Sequence, residues 1–437
     1  MGFELQRGLF PAGLAFSQGR LVFEGVVLEA LAKEHGTPLM VLSETAIRAR
    51  CREVREHFLA RYPGSHAYYA SKAFQTLDMI RIITEEGLGL DVVSGGELYA
   101  ALKAGCAPSR IMFHGNAKTD EELEAAVRAG VGRIVVDNIE EILRIEHIAA
   151  SHGTRMSILL RVTPGVDSHT HRFISTGSLD SKFGIPLEAS VTPLLAEALR
   201  KSPHVECRGL HFHVGSQLTD NRSHLAALGI VLDFASRLRR ECDIGLQELN
   251  MGGGFGIRYL PDDPDPGLAA FVEPMMAMVH EWSKREHVPM PLCAIEPGRW
   301  IVGEAGLTIY RVVNVKEIPG IRTYVAVDGG MGDNIRPALY EARYHVVPLN
   351  AASGSTARCV TIAGRYCESG DILVRDCMLP DPKPGDLLAL LSTGAYCHAM
   401  ASTYNRVPRP AVVMVSEGRV RLSVRRETFD DLLAREL

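Results

Sequence analysis

The sequence predicts an α/β fold, a (β/α)8 TIM barrel with a second, mainly antiparallel β-domain. From His66 to Glu296, short apolar strands alternate with amphipathic helical segments. Eight strands over about 230 residues match the usual size of such a barrel. From Trp300 onward the pattern changes to short strands separated by turns. The alternative is a doubly wound open sheet, but no GxGxxG motif follows the first strand.

The predicted barrel strands are apolar runs in which β-branched and aromatic residues are frequent. The helical segments between them repeat apolar residues every three or four positions, and several end at glycine, the usual residue after a helix. In chain order the strands are HAYYA (66–70), LGLDVV (88–93), RIMFHG (110–115), RIVVDN (133–138), RMSILLRV (155–162), CRGLHFHV (207–214), LQELNMGG (246–253) and PLCAIEP (291–297).

The predicted β-domain is assembled from both ends of the chain. The N-terminal part contains the strand-like segments GRLVFEG (19–25) and TPLMVLS (37–43). We predict a barrel over residues 44–296 and a discontinuous β-domain formed by residues 1–43 and 297–437. The C-terminal strands are RTYVAVDGG (322–330), CVTIAGR (359–365), DILVRDC (371–377), DLLALLS (386–392) and AVVMVSEGRVRLSV (411–424).

Composition and charge predict a soluble cytoplasmic protein. The net charge of −5 and a pI of about 6.4 give no reason to expect nucleic acid or an anionic membrane as a partner. We expect no secretory signal and no membrane span, because no basic start or long apolar run is present. The nine cysteines have no CxxC spacing, which is typical of reduced thiols. The HTH (169–171) and HFH (211–213) segments lack further ligands at zinc spacing, so no metal site is predicted.

Polar and glycine residues follow the predicted strands, where TIM barrels place their active sites. A lone lysine, a carboxylate and a glycine-rich turn that could bind a phosphate together suggest pyridoxal 5′-phosphate. Each feature alone also has an ordinary explanation: an extended surface lysine, a salt bridge between Glu296 and Arg299, or a flexible turn. The strand-end positions are Lys72, Asp91, His114, Asn138, Arg161, His213, GGGFG (252–256) and Glu296.

Longer segments resemble one enzyme family, the diaminopimelate decarboxylases. These are fold-type III pyridoxal-phosphate decarboxylases, related to ornithine decarboxylase and alanine racemase. The resemblance implies pyridoxal phosphate as cofactor, a homodimer with shared active sites, and conversion of the amino acid meso-2,6-diaminopimelate to L-lysine and CO2. The segments run in order from about Pro38 to Asn405 and include YYASKAF, GLGLDVVSGGELYAALKAG, HFHVGSQ, NMGGGFGI, EPGRWIVGEAG, VDGGMGDNIRPALYEARYH, CESGD and GAYCHAMASTYN.

The resemblance also implies roles for individual residues. Lys72 would bind the cofactor covalently, His213 would stack on its ring, and Glu296 would pair with the pyridine nitrogen. Cys367 would be the proton donor and, with Glu368, would reach into the neighbouring subunit's site. The other implied cofactor contacts are Asp91, Ser216, Gly252, Gly253, Gly254, Gly298, Arg299 and Tyr396. The implied substrate contacts are Arg299, Arg336, Tyr340, Glu368 and Tyr396.

Two departures and two alternatives accompany this interpretation. Cys397 stands where the family usually has glycine, and Thr163 where asparagine is common. These departures concern the shape of the pocket, since Lys72, Glu296 and Cys367 are all present. A related decarboxylase of ornithine, lysine or arginine would differ at the far end of the substrate. A non-catalytic regulatory homologue would be expected to lose site residues. A carboxylate at 296 favours decarboxylation, because the related alanine racemases carry arginine there.

Overall fold

The computed structural model describes residues 10–166, 181–350 and 356–437. The chain forms two compact units. The β-unit comprises Met1–Ala49, Ile257–Pro264 and Ile301–Leu437, and the barrel unit comprises Arg50–Gly256 and Asp265–Trp300. The HTH segment (169–171) lies outside the described residues. Within those ranges no helix combines the length and the apolar character needed to cross a membrane.

The N-terminal elements precede the barrel and include a small antiparallel sheet of three strands. Two helices here were not predicted from the sequence, in which only strand-like segments had been recognised. The elements are β1 (Leu14–Ser17), β2 (Arg20–Phe23), β3 (Val26–Val27), α1 (Leu28–His35), β4 (Leu39–Ser43) and α2 (Glu44–Val54).

The middle of the chain alternates strands and helices as the sequence predicts. The strands are β5 (His66–Ala70), β6 (Gly89–Val92), β7 (Ile111–Phe113), β8 (Arg133–Val136), β9 (Met156–Thr163), β10 (Ile185–Pro186), β11 (Val205–His211), β12 (Glu248–Asn250) and β13 (Leu292–Ile295). The helices are α3 (Leu77–Glu85), α4 (Gly95–Lys103), α5 (Asp120–Ala129), α6 (Ile139–Ser151), α7 (Val191–Arg200), α8 (Arg222–Cys242) and α9 (Ala269–Glu286).

The strands of the middle segment close into a parallel barrel. β5 pairs with both β6 and β13, and β9 pairs with both β8 and β11, so eight strands of the described chain form a ring. β10 is an extra strand that pairs with β9 outside this ring. A layer of buried side chains from five strands packs together, as expected for the filled interior of a TIM barrel. These side chains are Tyr68, Met112, Val135, Leu159 and Ala294. The predicted fold class is confirmed.

The barrel helices begin and end at residues that satisfy their free backbone groups. Thr119 and Glu122 form a capping box at the start of α5, and Gly130 ends that helix in the left-handed conformation with φ 70°. Asn138 accepts a hydrogen bond from the backbone N–H of Glu141 at 2.9 Å and so caps α6. This strand-end residue therefore has a structural role in the barrel.

The C-terminal segment forms most of the β-unit. The elements are α10 (Arg299–Val302), β14 (Gly306–Ile318), β15 (Arg322–Val327), α11 (Arg336–Tyr340), β16 (Val346–Pro348), β17 (Ala357–Ala363), β18 (Ile372–Pro380), β19 (Leu387–Leu390), β20 (Ala411–Ser416), β21 (Arg419–Val424) and α12 (Phe429–Leu433). Its main sheet has the order β18-β17-β15-β14-β4-β20-β21, while β19 joins β14 to β16. Most pairings are antiparallel, and β4 with β20 and β15 with β17 are parallel.

Two features of the β-unit were not recognised in the sequence. β14 has 13 residues and pairs with β15, β19 and β4, yet its segment was not among the predicted strands. Ile257–Pro264 follows the glycine turn of the barrel but belongs to the β-unit. This short segment contributes Tyr259 to a polar cluster described below.

Candidate active site

The Glu296 carboxylate lies at the end of β13 inside the barrel, where its exposed fraction is 7%. Nε2 of His114 lies 2.8 Å from Oε1, and Nε2 of His211 lies 3.1 Å from Oε2. The side-chain amide of Asn250 donates to Oε1 at 2.6 Å. Three strand ends therefore direct nitrogen atoms at one buried carboxylate.

These contacts decide the charge of the site. Burial by itself would raise the pKa of Glu296, but His114 and His211 outweigh it, and the pKa lies well below its usual range. Burial lowers the pKa of His211 to about 4, although Glu296 opposes this change. At neutral pH the carboxylate is therefore ionised and His211 is neutral. An ionised buried carboxylate can hold a proton on a pyridine nitrogen.

Lys72 lies in the short 3-10 turn Ser71–Ala73 directly after β5, and its side chain is exposed. Burial lowers the pKa of the His213 imidazole, and the Lys72 ammonium is the next contribution in the same direction. Burial raises the pKa of Asp91, whereas His114 and, more weakly, Lys72 act to lower this pKa. Lys72 therefore lies within electrostatic range of both Asp91 and His213 at the same end of the barrel.

The turn Gly252–Gly254 lies so close to neighbouring backbone that no residue larger than glycine fits at these positions. A Cβ atom on Gly253 would lie 2.1 Å from the carbonyl oxygen of Glu296, and one on Gly254 would lie 2.3 Å from that of Gly215. Gly252 and Gly254 also have φ values of 68° and 100°, which favour glycine. The turn is therefore a built element of the barrel end, and the interpretation as a flexible turn is not supported.

His224 orients one peptide of this turn. It is fully buried in α8, and its Nε2 donates to the carbonyl oxygen of Gly253 at 2.9 Å. The ring stacks on Phe255 with centroids 5.6 Å apart and meets Phe271 edge-on at 5.7 Å. Because C=O and N–H point in opposite directions across a trans peptide, the N–H of Gly254 points away from His224. His224 therefore holds this N–H in a fixed direction.

Ser216 and Arg299 are brought together at the same end of the barrel. A guanidinium nitrogen of the buried Arg299 donates to the Ser216 hydroxyl at 2.8 Å. The N–H of Gly253 donates to Nδ1 of His213 at 3.3 Å. Gly298 approaches β5 closely, because a Cβ there would lie 2.9 Å from the Cβ of Ala70. A serine hydroxyl, an arginine and a glycine turn are together a donor set suited to a phosphate.

The residues of the barrel end fit pyridoxal phosphate. The cofactor requires a lysine amine, an anion site for its phosphate and, for decarboxylation, an acidic partner for its ring nitrogen. The exposed Lys72 amine, the Ser216–Arg299 pair and the ionised Glu296 carboxylate meet these three requirements.

Arg336 lies in the β-unit on α11 and is 5% exposed. Its Nη1 donates to the hydroxyls of Tyr259, at 3.0 Å, and Tyr344. Its buried Nε has no hydrogen-bond partner, and no carboxylate among the described residues pairs with this arginine. The half-buried Tyr340 lies one helical turn further along α11. A buried guanidinium with unused donors is a site for an anion.

Cys367 and Glu368 lie in an exposed turn of the β-unit. The N–H of Cys367 donates to the side-chain oxygen of Asn405 at 2.9 Å. The buried Asp371 accepts the N–H groups of Tyr366, at 2.8 Å, and Met331, at 2.6 Å. The turn is therefore fixed at both ends while the thiol and carboxylate face solvent.

The remaining predicted positions have particular backbone or side-chain features. Tyr396 is half-buried and has a φ of 60°, which is uncommon for a residue with a side chain. The two departures from the family pattern also have defined contacts. The Thr163 hydroxyl donates to the carbonyl of Phe183 at 2.5 Å, and Sγ of the buried Cys397 lies 3.5 Å from the hydroxyl of Tyr344.

Several residues around Glu296, the glycine turn and Arg336 were not assigned to the site from the sequence. His211 had a detectable signal, since residues i and i+2 of a strand face the same side and HFH therefore directs both histidines inward. Asn250 is polar at the last position of a buried strand. His224, Tyr259 and Tyr344 had no local signal, because their roles depend on contacts between distant segments.

The His114, His211 and Glu296 ligand atoms lie within 4.8 Å of one another, a spacing that could also hold a metal ion. His211 Nε2 is hydrogen-bonded to Glu296 Oε2, and His114 Nε2 lies at ion-pair distance, 2.8 Å, from Oε1. The arrangement is thus accounted for by its effect on the carboxylate, and the absence of a metal site stays a prediction.

Comparison with known proteins defines the class first. The family model described as "Pyridoxal-dependent decarboxylase, pyridoxal binding domain" matches residues 44–303, so the chain is a pyridoxal-phosphate-dependent decarboxylase.

Full-length relatives are more specific. The diaminopimelate decarboxylase of Bacillus subtilis (strain 168) is 45% identical over 419 residues, covering 96% of this chain and 95% of that protein. That of Mycobacterium tuberculosis (strain ATCC 25618 / H37Rv) is 44% identical over 428 residues, covering 96% and 95%. The crystal structure of the M. jannaschii diaminopimelate decarboxylase with L-lysine has a TM-score of 0.91 and 35% identity, covering 98% of each chain. The chain belongs to the diaminopimelate decarboxylase family.

Proposed function

We propose that this enzyme removes CO2 from meso-2,6-diaminopimelate and releases L-lysine, the last step of lysine biosynthesis. The observation that carries the substrate assignment is Arg336, a buried guanidinium whose Nε has no partner and which no described carboxylate neutralises. A diamino acid with a second carboxylate supplies the missing anion. A substrate that ends only in an ammonium would leave this cation unpaired, which is costly in a buried site.

The barrel residues would hold the cofactor. Lys72 would bind it covalently, Glu296 would face its ring nitrogen, and His213 would lie against the ring. Its phosphate would be held by Ser216, Arg299 and the turn Gly252–Gly254, with Asp91 and Gly298 also in contact. When bound, pyridoxal phosphate supplies a ring that accepts the electrons of the carbon–carboxylate bond as CO2 is released.

The β-unit residues would act on the substrate. Arg336, Tyr340 and Tyr396, together with Arg299, would bind and orient it, and Glu368 would accept its distal ammonium. The carbon that loses CO2 must gain a proton, and the exposed Cys367 thiol would donate it from Sγ. We further propose a homodimer in which Cys367 and Glu368 serve the neighbouring subunit's site. The nine free cysteines agree with a location in the reducing cytoplasm.

The experiment measures CO2 release by the holoenzyme from meso-diaminopimelate, L-lysine, L-ornithine and L-arginine at equal concentrations. We expect CO2 release to be much faster from diaminopimelate than from the other three amino acids. In Arg336→Ala the ratio between these rates should be smaller. Arg419→Ala, which changes an exposed arginine of β21, should leave the preference unchanged. Comparable release from lysine or ornithine by the unmodified enzyme would contradict the proposed substrate.

A further inference from the structure

Two tyrosines enclose Arg336 within the β-unit. The rings of Tyr259 and Tyr344 are perpendicular, with centroids 5.3 Å apart. The guanidinium carbon of Arg336 lies 4.9 Å from the Tyr259 centroid and 5.6 Å from that of Tyr344. Both hydroxyls accept hydrogen bonds from the same nitrogen, Nη1. The same two tyrosines therefore hold the guanidinium by cation–π contact and by hydrogen bonding.

The tyrosines are themselves held in place by the surrounding chain. The backbone N–H of Tyr259 donates to Asp263 at 2.9 Å, and its carbonyl accepts the N–H of His345 at 3.1 Å. The hydroxyl of Tyr344 lies 3.5 Å from Sγ of Cys397. Both Tyr344 and Cys397 are 2% exposed. A buried chain of polar contacts thus runs from Cys397 through Tyr344 to Arg336.

We propose that Tyr259 and Tyr344 are positioning residues for Arg336, that Cys397 fixes the Tyr344 hydroxyl, and that this cluster recognises the carboxylate which the reaction retains. The proposal rests on the proposed function. Because Nη1 is held by the two hydroxyls, the guanidinium plane cannot rotate freely. Its remaining donors keep one direction for a carboxylate, which arginine recognises through paired donors.

The stereochemistry of the reaction identifies that carboxylate. The meso substrate has one D and one L centre, and the product is L-lysine, so CO2 leaves from the D centre. The carboxylate of the L centre stays in the product. L-Lysine therefore carries the group that Arg336 binds, whereas cadaverine (1,5-diaminopentane) differs from lysine only in lacking it. Comparing inhibition by lysine with inhibition by cadaverine therefore isolates the contribution of this carboxylate to binding.

The experiment compares Tyr344→Phe and Tyr259→Phe holoenzymes with the unmodified enzyme in steady-state kinetics. We expect the KM for meso-diaminopimelate and the competitive Ki of L-lysine to rise together by about tenfold, as for loss of a hydrogen bond to a charged group. The kcat should stay within about twofold, because ground-state and transition-state binding are affected alike. The Ki of cadaverine should not change. Tyr324→Phe, a half-buried tyrosine of β15, is the matched control and should change none of these constants.

Cys397 is tested with a pair of variants. Cys397→Ala should raise the KM and the lysine Ki by a smaller factor in the same direction, and Cys397→Ser should restore them because serine keeps a hydrogen-bonding atom. If one tyrosine variant does not fold, the other and the Cys397 pair carry the test.

Unchanged constants in the tyrosine variants, or a cadaverine Ki that rises with the lysine Ki, would overturn the positioning role. Failure of the unmodified enzyme to use diaminopimelate would instead overturn the proposed function. The two failures are therefore distinguishable.

Discussion

His211 and Glu296 meet inside the barrel, with Nε2 of the histidine 3.1 Å from Oε2 of the carboxylate. His211 is the last residue of β11, and Glu296 directly follows β13. Both side chains are almost fully buried. Each shifts the pKa of the other towards the charged form, but only the carboxylate is ionised at neutral pH. The histidine helps to keep the carboxylate ionised, and burial keeps the histidine neutral despite the adjacent negative charge.

Glu296→Gln should retain the cofactor and lose most of the turnover. The amide preserves the shape of the side chain but removes the charge that would hold a proton on the ring nitrogen. Loss of one such electrostatic group costs about 2.7–4 kcal/mol, or a decrease in kcat of about 10²–10³-fold. Single-turnover CO2 release and the visible absorbance of the cofactor measure the two properties. A variant with the original rate would show that the charge of Glu296 does not assist the reaction.

Replacing His211 should change how thermal stability depends on pH. The folded-state pKa of His211 is about 4, below its unfolded value of about 6.5. As pH falls through this window the unfolded chain gains a proton that the folded chain does not, so stability is lost. The effect of this one group is of the order of 3 kcal/mol when complete.

The measurement is the difference in Tm between pH 7 and pH 5. His211→Asn cannot titrate in this range, and its Tm should fall less than that of the unmodified protein. His280→Asn, at an exposed position of α9, is the control and should follow the unmodified protein. Equal decreases in all three proteins would contradict the buried neutral histidine.

Lys72→Ala should abolish turnover and covalent cofactor attachment together. In the unmodified holoenzyme, borohydride reduction followed by peptide mass spectrometry should locate the cofactor on Lys72. The Lys72→Ala protein should carry no such adduct. Lys103→Ala, at an exposed lysine of α4, should keep both attachment and activity. An adduct on another lysine of the unmodified enzyme would overturn the assignment.

His224 should affect cofactor affinity without contacting the cofactor. His224→Phe keeps an aromatic ring against Phe255 but removes the donor to the Gly253 carbonyl, so the N–H of Gly254 is no longer held in one direction. We expect the Kd of pyridoxal phosphate, measured by fluorescence titration of the apoenzyme, to rise about tenfold. The Kd of His224→Gln, which retains a donor, should lie between those of the unmodified enzyme and His224→Phe. If His224→Phe binds the cofactor normally, the glycine turn is set by backbone packing alone.

Mixed dimers should test the shared site. Lys72 belongs to the barrel unit and Cys367 to the β-unit. Inactive Lys72→Ala and Cys367→Ala proteins, once exchanged, should recover about a quarter of full activity, since half of the dimers would hold one intact site of two. Lys72→Ala mixed with Glu296→Gln is the matched control, because both changes lie in the barrel unit. It should show no recovery. Equal behaviour of the two mixtures, with subunit exchange demonstrated, would contradict a shared site.

The alternation of strands and helices from β5 to β13 could be predicted because it is written locally. Each strand is a short apolar run, and each helix repeats apolar residues with its own period, so neighbouring residues suffice to recognise them. The polar residues that follow the strands were predictable for a related reason. In a parallel barrel every strand end lies at the same rim, so Lys72, Asp91 and Glu296 could be grouped without knowledge of any distance.

The clusters that set the chemistry depended on tertiary structure. The ionised state of Glu296 results from nitrogen atoms supplied by β11, β12 and the residue after β7. Tyr259, which precedes Arg336 by many residues, reaches it only because Ile257–Pro264 joins the β-unit. β14 was missed because its residues pair with three different strands, so that burial changes along its length.

The sequence alone therefore determined the type and order of the elements, the barrel, the family and the residues at the strand ends, because these depend on neighbours in the chain. Tertiary structure decided which donors surround Glu296 and Arg336 and which way the peptides of the glycine turn point. The physical reason is that hydrogen bonding and burial act over a few ångströms in space, and the groups involved are contributed by segments far apart in the chain.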